Sequence, residues 1–286
     1  MTTILASLTG LGSDRSVLEA SVAMARIDGG HIDCLHTRID VVEVAATIAA
    51  TSSQPITDVH GLMRNITDEE EGRSRHARQA FEEICNRHAL AICDNPTDAA
   101  SISVAWNEHQ SFLNETLHEA RYHDLTVMGR DKELSGDRIT TVLMQSGRPL
   151  LLAPERPTEI IGQKVVVAWK DTAEAARTLT AASRLLAKAA SVTILSVSDD
   201  PRGDADRRSA ERLANQLAWR GIKAEVRMCY SPRVSTSQAL LDLAYDCGAD
   251  LLVMGAYGHS RVKELIFGGV TRDLLAASPL PVFMTS

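Results

Sequence analysis

Between Met254 and Thr271 the chain reads MGAYGHSRVKELIFGGVT, with glycines at 255, 258, 268 and 269. Four glycines in one connection point to a special backbone shape or to the close approach of a ligand. The apolar run ADLLVMG precedes the stretch and the helix-like run VTRDLLAAS follows it. A loop that leaves a strand end and opens into a helix turns backbone N–H groups inward. Missing Cβ atoms leave room for a phosphate, and the positive helix end near Val270 complements its charge. The Thr271 hydroxyl can donate to a phosphate oxygen or a metal-bound water. In open α/β sheets such sites lie beyond the carboxyl ends of strands, where strand order reverses. The pattern is neither GxGxxG nor a Walker loop. On spacing alone, a long surface loop with incidental glycines stays equally open.

The elements that must hold this loop come in two sets. DLTVMG at 124–129 recurs as DLLVMG at 250–255, an offset of 126. SGRPLLLAP at 146–154 resembles SPLPVFMTS at 278–286, an offset of 132, and ILA at 4–6 matches VVA at 166–168, an offset of 162. The chain reads as a duplication with a seam near APERPTEIIGQK, giving units at 1–155 and 163–286. The fall from 162 to 126 leaves about 36 extra residues in the first unit; a helical excursion or mobile flap is expected over 40–75. Strand runs such as VVVA and DLLVM are apolar throughout, as in sheets covered on both faces. Alternation with helices predicts an α/β fold of two tandem doubly wound five-stranded parallel-sheet domains. The last strands, PLLLAP and LPVFMT, are short apolar edges expected to face each other across a pseudo-twofold axis.

MGAYGHSRVKELIFGGVTRDLL resembles the nucleotide-loop signature of universal stress proteins, G-x2-G-x9-G-[ST], with Gly255, Gly258 and Gly268 on its three glycines. The resemblance covers 163–286 and, more faintly, the first half. It implies an adenine nucleotide, ATP foremost and ADP or AMP otherwise, with or without Mg²⁺. The binding set it implies is Ala168, Lys170, Asp171, Val197, Met254, Gly255, Gly258, His259, Gly268, Gly269, Val270 and Thr271. Gly269 stands in the place of the usual Ser or Thr, removing one hydroxyl. Lys170 stands where the family often has an aspartate that accepts a hydrogen bond from adenine, and lysine has no acceptor. Asp171 then takes that role, or backbone groups near Ala168 and Val197 do. In the first half, Arg130, Asp131 and Lys132 occupy the place of small loop residues, so that half is expected to be nucleotide-free.

Net charge is −7 without a long basic run, and aromatic content is 4%. Both argue against a nucleic-acid surface. Five scattered cysteines without a CxxC pair fit a reducing compartment. With no signal-peptide pattern and no apolar run of membrane length, a cytoplasmic protein without a membrane partner is expected. His31, Cys34 and His36 lie close in sequence but alternate faces if extended, against a metal site. The charge run DEEEGRSRHARQ reads as a solvated helix face, and Trp169 as helix packing rather than ligand stacking. His259 stays open between a ligand contact and solvent. No GxSxG, HExxH or spaced carboxylate pair marks a catalytic residue. The leading expectation is a stress-response protein that binds a nucleotide in its second half and acts by conformation or association. A nucleotide-free tandem scaffold is the alternative, and a homodimer or other protein partner stays open.

Overall fold

The computed structural model describes residues 2–38, 59–95, 102–110, 115–131, 135–198, 202–230, 235–256 and 269–286. The first unit runs β1 (Thr2–Leu8), α1 (Asp14–Asp28), β2 (Gly30–Arg38), α2 (Val59–His88), β3 (Ala91–Ile92) and β4 (Ser103–Gln110). It continues through α3 (Glu115–Ala120), β5 (Leu125–Met128), α4 (Ser135–Gln145) and β6 (Leu150–Leu152). The second runs β7 (Lys164–Ala168), α5 (Ala173–Ala181), α6 (Ser183–Lys188), β8 (Ser191–Ser198), α7 (Asp204–Ala218) and β9 (Ala224–Tyr230). It ends with α8 (Thr236–Asp246), β10 (Leu251–Gly255), α9 (Gly269–Ala276) and β11 (Val282–Thr285).

All strands among the described residues join one 11-stranded sheet in the order β3-β4-β2-β1-β5-β6-β11-β10-β7-β8-β9. Every pairing is parallel except β6 with β11, where Leu151 faces Phe283 and Leu152 faces Val282. The two last strands do meet, as the pseudo-twofold expectation requires. The first unit adds the two-residue strand β3 to the five expected. Apolar side chains on the two sheet faces feed separate cores. Ile4, Val165, Val253 and Phe283 pack under α1, α2, α5, α6 and α7. Leu5, Val166, Met254 and Met284 pack under α3, α4, α8 and α9. Both cores run through both units, so the inner strands such as β1, β5, β10 and β7 are buried on two sides, which is why they read as continuous apolar runs, while the edge strands β3 and β9 are not.

The backbone bonds correct one offset. Asp124 N donates to Thr3 O, and Asp250 N donates to Lys164 O. The second pair repeats the first at 250 − 124 = 126 and at 164 − 3 = 161, so the first strands correspond at 161 and not 162. The insertion also resolves in part. Residues 59–75 form the N-terminal half of the 30-residue helix α2, and 39–58 lie outside the described residues. Gly10, at φ +74°, abuts the α2 backbone at Arg73, where any Cβ would collide with the Arg73 carbonyl. The charge run lies on α2, as a solvated face with pairs such as Arg78–Glu82 at 2.8 Å, although Glu70 is buried against Arg73. The long helical run after β7 is broken at Ala182 into α5 and α6. Thr178 and Thr180 donate their hydroxyls back to Glu174 O and Ala176 O just before the break, a bonding mode that bends helices.

Candidate functional site

In the second unit the chain steps from β7 outward through β8 to β9, then returns to the other side of β7 for β10 and β11. The reversal lies between β7 and β10, and an open cleft of about 210 Å³ sits at the carboxyl ends of these strands. Ala168, Leu195, Val197, Leu240 and Met254 give it an apolar floor and wall. Gly269, Val270 and Thr271, the first turn of α9, close one end. Thr172 and Thr236, from the N-terminal ends of α5 and α8, add hydroxyls to the rim. Thr172 caps α5, accepting from Ala175 N at 3.3 Å, and Ser235 caps α8 in the same way. Lys170 is the one charged group among the described lining residues.

Of the expected set, Ala168, Lys170, Val197, Met254, Gly255, Gly269, Val270 and Thr271 come together here. Asp171 is exposed and does not line the cleft. Gly258, His259 and Gly268 lie outside the described residues. Trp169 borders the cleft, but its indole Nε1–H donates to Ser209 Oγ on α7 at 2.9 Å, the packing role expected of it. Thr172, Thr236 and Leu240 were missed. Thr172 was legible as an N-cap ahead of a helix; the other two reach the cleft only through the sheet order. Gly255 also has a role other than turning the chain. A Cβ there would fall 2.5 Å from Ala175 N and 2.8 Å from the Glu174 carbonyl carbon, so the glycine lets β10 lie against the start of α5.

The equivalent place in the first unit is filled. Ser7, Met128 and Gly129 stand where the second unit has Ala168, Met254 and Gly255, and they border a space of only about 10 Å³. The paired hydroxyl turns of Ser146 and Ser278 fix α4 to α9 at 278 − 146 = 132, which puts Arg138 in the place of Val270. The Arg138 guanidinium is partly buried there and donates to Ser7 Oγ and Thr116 Oγ1, each at 3.0 Å. Burial lowers its pKa, against the charges of Asp131 and Asp14. The Asp131 carboxylate takes the Ser13 hydroxyl at 2.6 Å, the Ser13 N–H and the Thr9 hydroxyl. Asp14 accepts from the N–H groups of Thr9 and Gly10. Its burial raises it to about 6 in spite of those bonds, and the Asp131 charge adds to the rise. Two carboxylates and one guanidinium thus occupy the ligand end of this unit.

The histidine cluster at 31–36 diverges as its alternation predicts. His31 bonds Asp33 and Ser103 Oγ, whereas His36 Nδ1 meets Leu8 O and its ring stacks near Trp106. Elsewhere Glu19, His88 and Glu159 bring ligand atoms within 4.8 Å of one another. Arg26 holds His88 Nδ1 at 2.8 Å, which leaves Nε2–H donating to Glu19 at 2.7 Å and no free imidazole lone pair for a cation.

A doubly wound α/β pair joined through its last strands, with one open and one filled cleft, is the class that fold and site define. Residues 162–286 match the family model described as the universal stress protein family. A universal stress protein of Synechocystis sp. is 25% identical over 268 residues, 89% of each chain. A universal stress protein from Archaeoglobus fulgidus shares the fold at a TM-score of 0.67 and 20% identity, over 100% of this chain and 96% of that one. A Pseudomonas aeruginosa protein does so at 0.61 and 12% identity, covering 100% and 92%. Residues 162–286 are a universal stress protein domain, and the chain as a whole is similar to universal stress proteins in sequence and fold. No described helix is long and apolar enough to cross a membrane.

Proposed function

We propose that the chain is a stress-response protein whose second unit, 163–286, binds one adenine nucleotide, while the first, 1–155, binds none. ATP is the leading ligand, with ADP or AMP behind it and Mg²⁺ alongside, in a cytoplasmic setting. One observation carries this reading: the second unit keeps an open cleft ending on the first turn of α9, and its counterpart is filled by Arg138, Asp131 and Asp14. The α9 N-terminus at Gly269–Thr271 would receive the phosphates through backbone N–H groups and the Thr271 hydroxyl. The apolar surface of Ala168 and Val197 would take the base. Lys170 would sit beside the ligand as a donor, so backbone carbonyls must accept from the adenine amino group. Binding then acts by conformation or association rather than by dedicated catalysis.

Mass spectrometry of the freshly purified, denatured protein should release a bound adenine nucleotide. Isothermal titration with ATP and Mg²⁺ should count one site per chain. Two sites would refute the asymmetry. No heat and no thermal shift with ATP, ADP or AMP would leave a nucleotide-free scaffold. Lys170 on the cleft wall is the observation that favours that second reading.

A further inference from the structure

We propose that a second copy of this chain joins the outer edge of β9, antiparallel, across a twofold axis at Val226, so that the two sheets continue into one. β9 ends the sheet and pairs with β8 on one side only. Among the described residues no backbone group bonds to its other side. The two units treat their outer strands differently. In the first, β3 covers the start of β4 at Ser103 and Val104. In the second, β9 presents an edge of seven residues, AEVRMCY, with neither proline nor lysine in it. Such an edge offers a row of unpaired N–H and C=O groups to another strand. Its two charged residues, Glu225 and Arg227, are what would be expected to turn a copy away, and at one register they do the opposite.

Directly opposite residues of an antiparallel pair share a sheet face, so a twofold axis relating two copies of one strand falls at a residue and not between two. At Glu225 or at Arg227 the axis would set like charges against each other. At Val226 it sets Glu225 of each copy opposite Arg227 of the other, twice. Further along, it would leave much of the strand unpaired. Both side chains are exposed, and they already lean together within the chain, Arg227 Nε donating to Glu225 at 3.0 Å. The other face of the strand agrees. Ala224, Val226 and Met228 pack on the core under α7, so Tyr230 falls on that same face by alternation. Trp219 ends α7, and Trp219 and Tyr230 are both exposed. The axis at Val226 brings Tyr230 of each copy alongside Ile222 of the other, beside the turn that carries Trp219. Charges then pair at the middle of the joint and aromatic surface is covered at both ends. A surface complementary to itself on both faces points to a second copy as the partner.

The test is sedimentation velocity of the full chain over a concentration series. The unmodified chain should pass from monomer to dimer as concentration rises. Glu225→Arg and Arg227→Glu each set two like-charge pairs across the joint, and each should weaken the dimer by more than about tenfold. Combining the two exchanges restores opposite charges at both places with the signs reversed, and should bring the dimer back to within a few-fold of the unmodified chain. Both positions are exposed, so far-ultraviolet circular dichroism should be the same for all four proteins. A chain that stays monomeric throughout the series would overturn the proposal. Single variants that dimerise as well as the unmodified chain would place the contact on another surface and overturn it too. A combined variant no stronger than the single ones would show that these charges do not face each other, with the same result.

Discussion

Replacing Gly255 with alanine asks what that glycine does. The added methyl would fall 2.5 Å from Ala175 N, 2.8 Å from the Glu174 carbonyl carbon and 2.9 Å from Ala175 Cα. All three atoms are backbone in the first turn of α5, so relief requires the helix to move, not a side chain to rotate. Carbon contacts settle near 3.5–4.0 Å, so the helix end must retreat by about 1 Å. Overpacking of this kind costs about 1–3 kcal/mol, and the stiffer unfolded chain returns about 0.4–1 kcal/mol. The net loss of ~1–2 kcal/mol corresponds to a fall in melting temperature of roughly 2–8 °C for a chain of this size. Gly269→Ala is the control. It stands in the first turn of α9 with no heavy atom of the described residues outside its own turn within 4 Å of its Cβ position, and should gain up to about 1 kcal/mol. Calorimetry and urea midpoints on both variants decide the matter. If Gly255→Ala melts at or above the unmodified chain, the tight contact between β10 and α5 is not the reason for the glycine.

Val282→Lys places a charge with no partner at a fully buried position opposite Leu152 in the central strand pair. It should cost about 3–5 kcal/mol, read as the urea midpoint. Gly269→Ser restores the hydroxyl the family pattern has there, in open space; titration with ATP should show affinity raised by roughly 2–10-fold, the worth of one hydrogen bond. Asp14 carries a pH signature. Its folded pKa of about 6 lies above the ordinary 3.8, so its contribution is fully present below pH 3.8 and lost as pH rises through 6. The stability difference between the unmodified chain and Asp14→Asn should therefore change by about 1 kcal/mol between pH 5 and pH 7. A difference flat across that range would contradict the rise that burial and the Asp131 charge give this carboxyl. His123 loses stability in the same direction but at higher pH. Burial opposes its charge, yet Asp33 and Glu119 outweigh burial and raise its pKa, so its contribution is complete below pH 6.5 and fades above it. His123→Gln should flatten that part of the profile in urea titrations.

The strands and most helices of the second unit were legible because apolar runs and capping residues are local signals, but the break of the long helical run at Ala182 was not. The register between units was not. ILA matches VVV as well as VVA, because strands buried on both faces carry no alternation to fix a frame. The backbone bonds of Asp124 and Asp250 fix it instead. The cleft was visible through Gly269, Val270 and Thr271, while Thr236 and Leu240 come from α8, the crossover from β9 back to β10, and have no nearby signal. Arg138 was invisible for the same reason. Its position on α4 reads as an ordinary helix cation until the sheet brings Ser7 and Thr116 to it. The sequence did mark the first loop as degenerate, through Arg130 and Asp131, but not what those residues would hold together.

The antiparallel meeting of β6 and β11 has a consequence for how such a molecule can vary. When two separate identical chains meet across a twofold axis, every substitution is made twice, and a filled pocket is filled on both sides. Here the two sides of the axis are encoded once each, at Leu151 and at Phe283. An arginine can therefore close one pocket while a valine at the matching place leaves the other open. The tether also keeps the partners together at any dilution, since the second encounter is intramolecular. One side is thereby freed to serve as a permanent support for the other, and its loops and long helix can drift toward new contacts without endangering the retained pocket.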